Sequence, residues 1–285
     1  MVFISGYFKI AKALNLNVNY KIGSYGHMYS RINELKQLKD NTDILFLGSS
    51  HAYRGFDPRN FKDKYVFNLG SSSQTPLQTK ILLERYLDKL NPTIAIYEVY
   101  PGTFSSDGVE SSLDLIANDY NDAKTVKMAL EINNIKTYNT LMYAAFATLL
   151  NLNKNFKEKS KQGKDTYIKG GFVESEFSTY KFINYTNRTW SFNQNQLIAF
   201  NECLELLKQK NTKVILVYAP ITPRLYNSYT NNHYVDSTFS SYNLEYYNFN
   251  ELMNLNDSLH FYDSHHLNNA GVTLFNNQLK KIIKL

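Results

Sequence analysis

The segment Asp43-Ile44-Leu45-Phe46-Leu47-Gly48-Ser49-Ser50-His51-Ala52 sets the architecture of the chain. An apolar run of strand length ends in a glycine and passes at once into side chains that carry chemistry. Apolar runs without alternation are typical of strands buried on both faces, as in parallel sheets. Working outward, similar runs recur at 65–69, ending at Gly70, and at 93–99, ending near Pro101 and Gly102. Two more lie at 213–218, before Pro220, and at 259–262, before Asp263. Helical stripes fall between them. In 76–90 the stripe is Leu77, Ile81, Leu82, Tyr86 and Leu90, with Pro76 suited to a first turn. Leu197, Phe200, Leu204 and Leu207 mark 194–210, and Val272, Phe275, Leu279 and Ile283 mark 270–285. Strand and helix in alternation predict an α/β fold: a central parallel sheet of about five strands, covered on both faces.

Between 104 and 190 the strand signals fade. Stretches 112–117, 123–133 and 137–151 read as helices, and 154–164 as a charged, exposed loop or helix. The expected organisation is one domain over 1–285. It has a lead-in over 1–40, with a helix at 28–38, and a mainly helical insertion over 104–190 covering the active edge.

Composition removes several function classes. With 43% hydrophobic and 20% charged residues in 285, the chain is not a disordered one. A single cysteine, Cys203, excludes a disulfide scaffold and a zinc site built from several thiolates. The formal charge of +6 is spread without a long basic block, so no nucleic-acid partner is expected. A membrane span needs about 20 apolar residues. The best interior run, 141–150, has half of that, and the run 1–4 stops at Ser5 and Gly6 before Lys9 and Lys12. No membrane span and no signal peptide are expected in this chain. The 23 tyrosines make 226–247 a candidate for stacking on sugar rings, although composition bias alone accounts for so many.

Open parallel sheets bind ligands at the carboxyl ends of their strands, which is where the reactive residues fall. Gly48 permits a tight turn, and a serine there has its hydroxyl exposed and its own N–H free to help bind an oxyanion. The plainer reading is a Gly-Ser turn capping the next helix. The second segment is Phe261-Tyr262-Asp263-Ser264-His265-His266-Leu267-Asn268. A carboxylate three residues before an imidazole on one loop can orient it, and the imidazole can take a proton from a serine. His51, Asp263, His265 and His266 are conceivable metal ligands, but a Ser-Asp-His set is explained without metal, and no metal site is expected.

Gly48-Ser49-Ser50-His51 near the start, with Asp263-x-x-His266-Leu267-Asn268 and Gly271 near the end, resembles the SGNH/GDSL hydrolase superfamily over about 43–285. The resemblance implies a three-layer α/β/α flavodoxin-like fold and no cofactor. It implies Ser50 as nucleophile, His266 as base and Asp263 as the carboxylate that orients it, with Ser49 and His265 each one residue away. The oxyanion would be held by the N–H groups of Ser50 and Ser73. Ser73 stands where the family has glycine, so its backbone is expected to avoid a conformation that only glycine tolerates. The family's third block, Gly-x-Asn-Asp, is replaced by Val99-Tyr100-Pro101-Gly102-Thr103 and supplies no asparagine.

Around these, His51, Arg54, Asn68, Gly70 and Glu98 are candidate substrate contacts. Arg54 has an alternative as the ion-pair partner of Asp57 or Glu98. Glu98 has one as a brace beneath the site, and the loop 220–224 should form the rim. The expected activity is ester hydrolysis or acyl transfer on an O-acylated glycan or other small ester. The rival is a catalytically impaired glycan-binding or assembly protein with the same fold. An α/β-hydrolase fits less well, because Ala52 stands where Gly-x-Ser-x-Gly ends. Association with the cell envelope or periplasm is implied by the resemblance alone.

Overall fold

The computed structural model describes residues 21–284 apart from Ser24 and Phe182. The apolar run at 1–4 and the first half of the lead-in lie outside the described residues. Eight strands follow in chain order: β1 (Ile44–Leu47), β2 (Val66–Asn68), β3 (Ile94–Glu98), β4 (Lys161–Gln162), β5 (Asp165–Ile168), β6 (Phe172–Ser175), β7 (Lys213–Tyr218) and β8 (Glu245–Asn248). Five of them make a parallel sheet in the order β2-β1-β3-β7-β8. This is a three-layer α/β/α fold.

The layers follow from the strand sequences. In β1, Leu45 and Leu47 enter one core, with Leu82 and Leu83 of the helix Pro76–Leu90 and with Phe200 and Leu207 of the helix Gln194–Gln209. Ile44 and Phe46 enter the opposite core, with Phe275, Leu279 and Ile283 of the helix Asn269–Ile283. Both faces are dry, so the strand needs no polar alternation. The helix Pro76–Leu90 starts at Thr75 with a capping box to Gln78 and with Pro76 in its first turn, both strong start signals. The expected helix at 28–38 forms as Met28–Gln37.

Two expectations are corrected. The fifth strand is β8, not 259–262. Asn256 caps a short helix, Asp257–His260, by accepting from the N–H of Ser258 and Leu259, and Phe261 makes only an isolated bridge to Leu267. β8 was missed because an edge strand lacks a continuous apolar run; its residues read Glu-Tyr-Tyr-Asn and are mostly half-exposed. The second correction concerns 104–190. Helices Val109–Asn118, Ala123–Ile132 and Ile135–Leu149 are present, but β4, β5 and β6 add an antiparallel sheet. Among the described residues, no helix is long and apolar enough to cross a membrane.

Candidate active site

The turn after β1 is built by close backbone approach. Gly48 has φ 132°, and a Cβ there would lie 2.7 Å from both Cβ and Oε2 of Glu98. Ser49 caps the helix Ser50–Gly55, its hydroxyl oxygen accepting from the His51 N–H. The N–H and hydroxyl of Ser49 donate to Glu98 Oε2 at 2.9 and 2.8 Å. Glu98 ends β3 and is fully buried. Burial pushes its carboxyl up to about 7, against the opposing pull of the two Ser49 hydrogen bonds. Glu98 thus braces the turn, the alternative role expected for it.

Asn68 and Gly70, both buried, also hold the turn. The Asn68 amide donates to the carbonyls of Ala52 and Phe56 at 2.8 and 3.1 Å, and its oxygen accepts from the Gly70 N–H. Gly70 presses against the serine turn: a Cβ there would sit 2.8 Å from the Ser49 carbonyl oxygen. Ser50 is thereby fixed as the first helical residue, where an N–H has no intrahelical acceptor.

The loop before the last helix supplies the other half. Asp263 Oδ1 accepts from the N–H groups of His265 and His266, each at 2.8 Å. Asp263 Oδ2 lies 2.8 Å from His266 Nδ1, and His266 Nε2 lies 2.8 Å from Ser50 Oγ. Burial opposes ionisation of Asp263, but the His266 hydrogen bond and charge, with the two backbone N–H groups, outweigh it and hold the carboxyl below its usual range. An ionised carboxylate only accepts, so Nδ1 carries the proton and Nε2 is free to accept from the serine hydroxyl. Tyr262 stacks on the His266 ring at 5.5 Å. The loop 220–224 is a brace, not a rim: the N–H and hydroxyl of Thr222 donate to the Ser264 carbonyl at 3.1 and 3.0 Å.

The two neighbours in each pair have different hydrogen-bond partners. Ser49 is spent on Glu98, while Ser50 meets His266. His265 turns toward Tyr100, its Nδ1 3.3 Å from the phenol oxygen. Burial first, and then the neighbouring His266, push its imidazole down to about 4. His51 sits under the site with its Nδ1 3.1 Å from Ser49 Oγ and its ring 4.2 Å from Tyr100 and 5.2 Å from His266. Burial, aided by the adjacent imidazoles, holds its pKa far below the ordinary value. Among the described residues no group of three or more His, Cys, Asp or Glu is placed to hold a metal ion.

A cavity of about 290 Å³ opens over Ser50, lined among others by His51, Ser73, Tyr100, Thr103 and His265. The N–H groups of Ser50 and Ser73 have no hydrogen-bond partner among the described residues. Ser73 does take the left-handed backbone that its side chain was expected to avoid, with φ 50°. No third-block side chain replaces the missing amide: the Thr103 hydroxyl donates to the Tyr100 carbonyl at 2.8 Å. Arg54 pairs with neither Asp57 nor Glu98. It clamps Asp165 of β5 at 3.0 and 2.6 Å, and its Nη1 donates to Ser175 of β6 at 2.8 Å. Asp57 is held by Arg59 instead. Within 226–247, Tyr226 bonds Glu251, Tyr246 of the edge strand bonds Asp236, and Tyr229 stacks on Trp190. Sequence reasoning missed Tyr100, Tyr262 and Asp165 around the site. The first two lie inside the segments 99–103 and 261–268, and that placement is the signal that could have flagged them.

The class this defines is a three-layer α/β/α protein with a serine, an imidazole and a carboxylate in one hydrogen-bonded line at the strand ends. No family model matches the chain, and no curated protein matches it. Among solved structures it is similar to a protein named as an acylhydrolase from Bacteroides fragilis NCTC 9343, at 10% identity and TM-score 0.47 over 92% of this chain and 97% of that one. It is also similar to a GDSL-like lipase from Bacteroides thetaiotaomicron VPI-5482, at 11% identity and TM-score 0.45 over 92% and 98%.

Proposed function

We propose that the protein cleaves esters through a covalent acyl-serine, with a small O-acylated glycan as the substrate class. The observation that carries this reading is the continuous line Asp263–His266–Ser50, with 2.8 Å at each of its two junctions. In this reading Ser50 Oγ attacks the ester carbonyl carbon while His266 Nε2 takes the hydroxyl proton. Asp263 stabilises the imidazolium that forms. The N–H groups of Ser50 and Ser73 bind the oxyanion. Collapse breaks the bond to the alcohol oxygen, which receives the proton from His266. Water then attacks the acyl-serine while His266 Nε2 takes its proton, the bond from Ser50 Oγ to the acyl carbon breaks, and Ser50 recovers the proton as the acid leaves; a second hydroxyl attacking in the same way gives a new ester. Both outcomes use the same three residues.

The test is a fluorophosphonate probe with the adduct located by mass spectrometry. An adduct at Ser50 in the wild type, lost in Ser50→Ala and in His266→Ala, is the expected result. An adduct on Ser49, or none, sinks the reading. The absent third-block amide favours the second reading, a binding protein that has lost turnover. An oxyanion-hole donor is worth about two to three orders of magnitude in rate. Turnover of 4-nitrophenyl acetate that Ser50→Ala abolishes would exclude that alternative.

A further inference from the structure

Ser50 does not sit at the bottom of one pocket. A second cleft, of about 580 Å³, meets the first at the serine, and Ser50, Ser73, Glu110 and His266 border both. The two clefts differ in chemistry. The smaller runs between His51, Tyr100, Thr103 and His265, and its two side imidazoles are held neutral by burial. The larger runs past Tyr262 and Asp263 to the three-stranded sheet, whose wall carries Lys164, Asp165, Ser175 and Glu176. Arg54, on the nucleophile's own helix, fastens that wall through Asp165 and Ser175. An alkyl chain laid in the larger cleft would strip water from several charges without repaying them. Hydroxyl groups would pair with the same charges. An acyl group finds fewer such groups in the smaller cleft.

Building on the acyl-serine reading, we infer that the two clefts divide the ester. The acyl group enters the cavity between Tyr100 and His265, and the hydroxyl-rich alcohol lies against β4–β6. The three-stranded sheet is then the element that selects the alcohol. The attack is compatible with this division: His266 borders both clefts and Asp263 only the larger, so a proton held on His266 can reach an alcohol oxygen that departs into the larger cleft. The ester C–O bond breaks there, and the acyl-serine keeps its chain in the smaller cleft.

Ratios of kcat/KM test the division, because a general loss of folding or of catalysis cancels in them. Three substrate types are needed: 4-nitrophenyl acetate, 4-nitrophenyl octanoate, and mono-O-acetylated hexosides with their oligosaccharides. Lys164 and Glu176 are exposed, and the double variant Lys164→Ala with Glu176→Ala should lower the acetyl-sugar to aryl-acetate ratio at least tenfold, mainly through KM. Ser106→Phe, which narrows the smaller cleft, should lower the octanoate to acetate ratio at least tenfold and move the sugar ratio less than twofold. Swapped effects, equal effects on both ratios, or a wild type that cleaves aryl acetate but no acetylated sugar overturn the division. Fluorophosphonate labelling of Ser50 in every variant separates the two failures. Labelling with the wrong ratios rejects the division alone, and no labelling in the wild type rejects the acyl-serine reading with it.

Discussion

The serine turn and the histidine loop meet at one hydrogen bond but are held by opposite means. Around Ser50 the restraint is packing. Ser49 and Glu98 are each 1% exposed, and Gly48 and Gly70 let backbones approach where a Cβ would not fit. Around His266 the restraint is local. The Asp263 side chain is 42% exposed, and one of its oxygens gathers two backbone N–H groups from within three residues. A turn placed by the core moves only if the core moves. A loop placed by its own carboxylate can lose function while the fold stands.

Asp263→Asn should separate the two most strongly. The amide oxygen can still accept from the backbone, but the side chain no longer stabilises an imidazolium or fixes its tautomer. A fall of about 10⁴-fold in kcat is expected, with a melting temperature lowered only modestly, because the stabilising charge of the part-exposed Asp263 carboxylate is screened by solvent. A melting temperature that drops with the activity would show that the loop is also held through the core, and the contrast would break. Gly48→Ala should do the reverse. The positive φ and the contact with Glu98 together cost about 2–4 kcal/mol, read by denaturant unfolding. A variant of unchanged stability would mean that the turn is not set by packing.

Glu98→Gln sharpens the same side. A folded-state carboxyl near about 7, against 4.5 when unbound by the fold, binds more protons folded than unfolded between those values. Stability from this group is therefore present below about 4.5 and is lost as pH rises toward about 7. His265 works oppositely: with its folded value near about 4 against 6.5, stability is lost as pH falls between them. Unfolding measured across pH 4 to 8 should show the glutamine variant lacking only the loss on the alkaline side. An identical profile in both proteins would place the Glu98 titration elsewhere.

What the sequence made legible follows the same division. β1, β3 and β7 were plain because both their faces are dry, and the Gly48-to-Ala52 and Asp263-to-His266 segments were plain because each is contiguous. β8 was not, because half of an edge strand faces solvent and its apolar signal is diluted by Glu245 and Asn248. The sheet β4–β6 was hidden for a further reason. Its strands are two to four residues long, and part of its attachment is the ion pair of Arg54 with Asp165, 111 positions away. No spacing rule reports a pairing of that range. Sequence proximity offers Arg54, a candidate substrate contact, only Asp57 or Glu98 as ion-pair partners, and the Asp57 carboxylate holds Arg59 instead.

Ser73 belongs to neither side of the contrast, which makes it the finest probe of it. Its φ of 50° lies in the region where an L-residue is strained by roughly 1–2 kcal/mol, while glycine there costs about 0.5–1 kcal/mol of chain entropy. Ser73→Gly should therefore stabilise the protein by up to about 1 kcal/mol, measured by denaturant midpoint at constant slope. The backbone N–H survives the change, so any shift in kcat reports the hydroxyl and the altered flexibility of the segment, not the loss of an oxyanion donor. A glycine variant that is less stable would mean that the Ser73 side chain holds its own backbone in place. The segment around Ser73 would then join Asp263 among the parts positioned by local contacts, and packing would account for the serine turn alone.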